Sequence, residues 1–464
     1  MEAQAQTVLR SPERAPLFSS AALRKLIVPL VVEQFLAMTI GMADTIMVTS
    51  VGEHAVSGVS LVDNISILLI NVFSALATGG AVVAAQYLGS RDEPNACAAA
   101  KQLFYVIGAL STATMAVCLL FREPILRLVF GHLEESVMEA AMTYFLLTAL
   151  SYPLLAVYNA GAALFRAMGN SKVSMLASLL MNIVNIGLNA ILIYGVGIGV
   201  AGAGFGTLFS RLAGAVLMTW LICQHGHRIH IDHLLHFEFR GQLVKKILRI
   251  GVPNGLENGM FQLGKIIVQG MIASYGTAAI AANAVCNSIA GFPIIPGSAI
   301  GLALITVVGQ CVGAQRYEEA KQYIHKLTGL AYLFMFFFNA LIAIFCSQIV
   351  GFFSLSAEAT DTAVQIMLWH SLFCAVFWPA AFTMPNGLRA ANDVRFTMTV
   401  SILSMWICRI CMSYILGTVL GMGALGTWFA MFLDWIVRIV FFAVRLHSNK
   451  WQHRELQQKM AAVD

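Results

Sequence analysis

Glu33 and Asp44 stand eleven residues apart inside an apolar run, residues 25 to 50, that is long enough to cross a bilayer as one helix. About 20 residues at a rise of 1.5 Å span a hydrocarbon core of about 30 Å. Eleven residues make about three turns, so both carboxylates project from nearly the same helix face. A carboxylate in lipid costs at least a few kcal/mol, so acids at this depth face a bundle interior or a wet cavity and mark an ion or substrate path. Their chemistry is reversible neutralisation, by a proton or ion in one state and by a substrate in another.

Other polar side chains sit in similar runs. Asp63 and Asn71 lie two turns apart in a second span, and Asn182, Asn185 and Asn189 fall in a fifth, the last two one turn apart. In a seventh span Asn254, Glu257, Asn258, Gln262 and Lys265 follow helical spacing and share a face. Glu257 and Lys265 are close enough to compensate each other, or Lys265 reaches an acid of the first half. Asn182 reads as interhelical glue, and Asp434 with Arg438 as an i, i+4 ion pair. His370 reads as a hydrogen-bonded structural residue. Cys408 and Cys411 have no His or acid beside them, so no metal site is expected there.

Positioning these groups takes a membrane bundle. Hydrophobic residues make up 59% of the 464 and charged ones 11%, outside the range of a soluble globular chain. About twelve hydrophobic stretches follow, none with the alternation of an outer-membrane barrel. Residues 1 to 24 have no apolar core, so no cleavable signal peptide is expected. Lys and Arg crowd the tails and even-numbered loops, whereas the odd-numbered loops hold only Arg122 and Arg127. By the positive-inside rule both termini are cytoplasmic, and the net charge of +5 reflects topology and lipid contact, not nucleic-acid binding.

The chain is duplicated. Pro253 and Glu257 stand 224 positions after Pro29 and Glu33, and the same offset maps Asp63 onto Asn287, Gln86 onto Gln310 and Gly89 onto Gly313. Further on, Phe165-Arg166-Ala167 matches Leu388-Arg389-Ala390, and Gly206-Thr207 matches Gly426-Thr427. The expected fold is therefore all-α and polytopic, with twelve transmembrane helices in two six-helix parallel repeats about an axis along the membrane normal. The expected divisions are a cytoplasmic tail (1–24), an N-lobe (25–222), a cytoplasmic linker (223–245), a C-lobe (246–445) and a cytoplasmic tail (446–464). The linker's His225, His227, His230, His233 and His236 read as a solvated run without a metal framework. Gly89 and Gly313 read as glycine stops of helices ending in cytoplasmic elbows. Pro293 and Pro296 should break the eighth span, where the second has no matching prolines.

No GxxxxGK[ST], HExxH or GxSxG motif occurs, so neither ATP-driven pumping nor familiar membrane hydrolysis is supported. A duplicated bundle with buried titratable groups is the kit of a secondary transporter. The Met-Ala-Asp44-Thr-Ile-Met-Val segment, Gln86-x-x-Gly89, Arg166-Ala-Met-Gly-Asn170 and Asn185-x-x-x-Asn189-x-x-Leu192-Ile193 together resemble the multidrug and toxic compound extrusion family, over about residues 20 to 445. The resemblance implies an inner-membrane antiporter, rocking between two open states and exporting organic, often cationic, compounds against H⁺ or Na⁺.

It also implies a cation-coupling site at Asp44, Asn185, Asn189 and Thr207. The family's acid is replaced by Asn189, which makes proton transfer through Asp44 more attractive than a charged Na⁺ site. The expected cavity and gate residues are Glu33, Asp63, Glu257, Asn258, Gln262 and Lys265, with Phe35, Tyr158, Phe261 and Trp378 adding apolar and cation–π contact. For Glu33 and Glu257 a gate or substrate-recruiting role stands beside mutually paired structural acids. The expected partners are small organic molecules and membrane lipids; the expected protein is a monomer without cofactor or metal. A flippase for a lipid-linked precursor shares the architecture but favours a basic cavity, for which only Lys265, Arg211 and Arg409 are candidates. A channel or membrane-embedded binding protein fits duplicated halves less well than alternating access does.

Overall fold

The computed structural model describes residues 15–131, 134–234, 236–353, 355–448 and 450–452. Arg10, Arg14, Arg454 and Lys459 of the expected cytoplasmic tails lie outside the described residues. Among the described residues all regular structure is helical.

In the first half the helices are α1 (Ser20–Thr49), α2 (Glu53–Gly89), α3 (Glu93–Leu120), α4 (Arg122–Phe130), α5 (Glu135–Leu150), α6 (Tyr152–Ala167), α7 (Ser171–Asn189) and α8 (Val200–Ile222). In the second they are α9 (Gly241–Ala273), α10 (Thr277–Ala290), α11 (Ile295–Gly313), α12 (Tyr317–Ile344), α13 (Cys346–Gly351), α14 (Ala357–Trp378), α15 (Pro385–Ala390), α16 (Val394–Ser404) and α17 (Gly423–His447). Ser19 and Asp92 cap α1 and α3 by accepting hydrogen bonds from the N–H groups of Ala22 and Asn95.

Nine helices are long and apolar enough to cross a membrane, and α5 with α6, bent by 44° at Ser151, makes a tenth span among the described residues. The other two spans expected from the sequence correspond to α9 and α17. Asn254, Glu257, Asn258, Gln262 and Lys265 lower the apolarity of α9, and Asp434 and Arg438 that of α17. The broken eighth span is α10 plus α11, interrupted at Pro293, whereas α2 runs unbroken for 37 residues.

The two halves pack through related surfaces. α2 lies along α9, and α1 lies along α11, so each half lends its opening helix to the other's second span. Gly79 and Gly251 let α2 and α9 approach closely, since a Cβ on Gly79 would stand 2.8 Å from the Gly251 nitrogen. On the other side Leu23, Leu26, Ile27 and Leu30 of α1 share a core with Ile300, Leu304 and Val308 of α11. The linker is not simply solvated. It docks on the first lobe, with Ile229 and Ile231 buried and the Tyr105 hydroxyl donating to the carbonyls of Leu234 (3.0 Å) and His236 (2.8 Å). Apolar residues interleaved with its histidines make that docking favourable.

Candidate functional site

In the first lobe α1, α2, α5, α7 and α8 bring their polar side chains together. Asn189 donates its Nδ2 to Asp44 Oδ1 at 2.6 Å and also contacts Asn185 Oδ1 at 3.4 Å. Asn189 is the last residue of α7 before a π-helical turn, Ala190–Gly195, that re-aims the chain; such turns recur at functional sites. Gly206 of α8 faces the Asn189 carboxamide so closely that no Cβ fits there. Asp63 lies within electrostatic reach of Asp44 and accepts a hydrogen bond from the Tyr144 hydroxyl at 3.3 Å. Arg211 lies within reach of both acids while its Nη1 donates to Ser151 Oγ at 2.7 Å. Among the described residues the buried oxygens Asn189 Oδ1 and Thr207 Oγ1 have no hydrogen-bond partner. Chemically this is a half-buried pair of carboxylates facing one guanidinium, with spare acceptors beside them: a place where one positive charge can be exchanged.

Glu33 and Glu257 stand apart from that cluster, each held by an arginine of its own half. Glu33 accepts from Arg166 Nη1 at 2.7 Å and from Ser174 Oγ at 2.6 Å. Glu257 accepts from Arg389 Nη2 at 2.5 Å, and Arg389 Nη1 in turn donates to Asn386 Oδ1 at 2.8 Å. The two acids are not paired with each other, which one of the two sequence readings had expected; their partners are Arg166 and Arg389. Among the described residues Lys265 pairs with neither Glu257 nor an acid of the first lobe.

The arginines sit beside the contact between the lobes. Gln310 Nε2 donates to the Ala167 carbonyl at 2.7 Å, and Gln86 Nε2 donates to the Ala390 carbonyl at 2.8 Å. These two bonds are copies of each other under the repeat. Gly89 abuts the Gln310 carbonyl and Gly313 the Gln86 carbonyl, with no room for a Cβ at either. The glycines are thus not helix stops. The left-handed residues that end α2 and α11 are Arg91 (φ 60°) and Gln315 (φ 58°), and the glycines let two helix ends cross. Gly313→Val should destabilise this closed crossing by about 1–3 kcal/mol. Spin labels at Ser90→Cys and Ala314→Cys, in an otherwise cysteine-free chain, should report a longer distance in the valine variant; an unchanged distance contradicts the crossing.

The family model MatE matches residues 29–191 and again residues 253–415, so the second match begins and ends 224 positions after the first. The chain belongs to the MatE family. It is a multi-pass membrane transporter, as the Asp44, Gln86 and Asn185 motifs led us to expect. An uncharacterized transporter of Bacillus subtilis, YisQ, is 28% identical over 96% of this chain and 98% of its own length. A probable multidrug resistance protein NorM of Thermotoga maritima is 25% identical over 93% and 92%. A crystal structure of MATE in the bent conformation has the same fold, with a TM-score of 0.85 at 21% identity over 95% of this chain and 96% of that one.

The remaining residues of this MatE chain are placed as follows. Asn258 and Gln262 are half-buried on α9, and Phe35 is half-buried on α1. Tyr158 is buried within reach of Glu33 and Arg166. Arg409 and Arg438 lie over the Phe261 ring at 5.3 and 5.8 Å. Trp378 is buried and stacks on Phe382 at 5.1 Å. Asp434 and Arg438 form the expected pair at 2.9 Å. His370 is buried among Trp428, Phe432 and Trp435, and its Nδ1 has no hydrogen-bond partner among the described residues. No group of His, Cys, Asp and Glu able to hold a metal occurs among the described residues. The sequence reading missed Tyr144, Ser174 and the two arginine partners. The paired Arg-Ala steps, 166 and 389, were the available signal.

Proposed function

We propose that this transporter exports small organic compounds carrying a positive charge in exchange for protons, and that Asp44 is the exchanging group. The supporting observation is the short Asn189–Asp44 hydrogen bond inside a cluster whose two acids face a single arginine. Two carboxylates against one guanidinium leave one negative charge in excess, which either a proton or the cation of a substrate cancels. Competition for that charge is antiport. The relatives' description as probable multidrug resistance proteins supports organic substrates. The repeat supports placing exchange in the N-lobe, because the 224-residue offset puts Val268 opposite Asp44.

The protein works as a monomer in the bacterial inner membrane with both termini in the cytoplasm. The Gln86–Gly313 and Gln310–Gly89 crossing is then its cytoplasmic closure, and the lobes rock by parting there and meeting at the opposite end. Proteoliposomes holding purified protein and loaded with rhodamine B ethyl ester, a fluorescent organic cation, test the coupling. A pH gradient alone should drive dye movement and a Na⁺ gradient alone should not; the reverse outcome overturns proton coupling.

A further inference from the structure

The repeat gives the second lobe a counterpart of the Asp44 cluster, and its charge is reversed. At the 224-residue offset Val268 takes the place of Asp44 and Asn287 that of Asp63, while Thr427 matches Thr207 through the shared Gly-Thr step. These three residues line one cavity of about 50 Å³, together with Lys265, Gln269, Asn283 and Arg409. Both acids of the first lobe are lost in the copy, and two bases have been added.

The charged groups that line this cavity are both bases, and the acceptor beside them is the neutral Asn287 carboxamide oxygen. Lys265 lines the cavity and makes no hydrogen bond or ion pair among the described residues. Arg409 stands in a π-helical turn, Met405–Cys411, and its buried Nε has no partner. Asn283 donates to Gln269 Oε1 at 2.7 Å and accepts from Trp428 Nε1 at 3.0 Å, which leaves the Gln269 amide nitrogen to donate. Among the described residues no acid lines the cavity; of the acids on α9 and α17, Glu257 is paired with Arg389 and Asp434 with Arg438. Asp434 offsets part of the Arg409 charge as well, yet it faces Arg438 and Arg409 together, and Lys265 stands within electrostatic reach of Arg409. A small cavity with an excess of positive charge and unspent N–H donors is built for an anion. Its volume suits a group of three or four atoms.

We infer that the C-lobe cavity binds the carboxylate of an organic substrate, so that preferred substrates carry an anionic group as well as a positive charge. The word substrate rests on the efflux reading, but the binding itself does not. Rhodamine B carries a carboxylate beside its cationic ring system, and its ethyl ester lacks only that carboxylate. Fluorescence anisotropy of both dyes with the purified full-length protein, without any gradient, reads the cavity directly. The wild type should prefer rhodamine B to the ester. Lys265→Gln and Arg409→Gln should each narrow that preference about tenfold, the size of one charge-assisted hydrogen bond, and Lys265→Arg should keep it. A wild type with no preference for the acid, or a preference that survives both glutamine variants, overturns the inference. A failure of proton coupling in proteoliposomes would leave these binding ratios untouched, so the two readings fail separately.

Discussion

Asp44→Asn should abolish proton-driven dye transport while leaving the protein folded. Asparagine is close to isosteric with aspartate, and its carbonyl can still accept the hydrogen bond that Asn189 Nδ2 gives Asp44 Oδ1 at 2.6 Å. Contacts in the cluster therefore survive, and what is removed is the ability to lose and regain a proton. Asp63 remains, within reach of Arg211 and hydrogen-bonded to Tyr144, so the cluster keeps a balanced pair of charges but no longer carries an excess one. With nothing to exchange, a pH gradient has no purchase on the conformational equilibrium. Size-exclusion behaviour like the wild type, with transport at the level of empty liposomes, is the expected result. Undiminished transport would move coupling away from Asp44.

The largest stability effect is expected from Arg389→Ala. Glu257 lies in the lobe interior with its side chain 7% exposed, its Oε1 held by Arg389 and its Oε2 already without a partner. Truncating the arginine leaves a buried charge uncompensated, a change that costs about 3–5 kcal/mol, whereas the paired state itself contributes little. Arg166→Ala should cost less, because Glu33 keeps the hydrogen bond from Ser174. Glu257→Gln should recover most of the stability lost in Arg389→Ala, since it removes the stranded charge. Heat-denaturation midpoints in detergent read the order: wild type highest, the double variant next, Arg389→Ala lowest. Equal midpoints for Arg166→Ala and Arg389→Ala would contradict the role given to Ser174.

Much of this architecture is legible in the sequence because a duplication repeats its own evidence. Pro29 and Pro253, Glu33 and Glu257, and Gln86 and Gln310 share one offset, and a family model finds the same offset at both ends of its two matches. Asp44 stood out for a different reason, as a carboxylate in an otherwise apolar helix, whereas Asn185 and Asn189 joined it only through the family resemblance. What the sequence did not disclose is pairing at a distance. Arg166 stands 133 residues from Glu33 and Arg389 stands 132 from Glu257, and each arginine lies near a helix end where a base is also explained by topology. The roles of Gly89 and Gly313 were hidden likewise: a glycine near a helix terminus suggests a stop, and only the crossing of α2 and α11 reveals a close approach. Lys265 was read as a partner for Glu257, on the same stripe of α9, or for an acid of the first half, but Arg389 holds Glu257.

Proton release on dye binding tests the exchange most directly. Rhodamine B ethyl ester is added to detergent-purified protein in weak buffer at neutral pH, and the pH change is titrated to a count of protons per dye bound. The expected result is release of about one proton by the wild type and none by Asp44→Asn, since dye and proton compete for one excess charge. Dye binding without proton release in the wild type, or the same release from Asp44→Asn, would contradict exchange at Asp44.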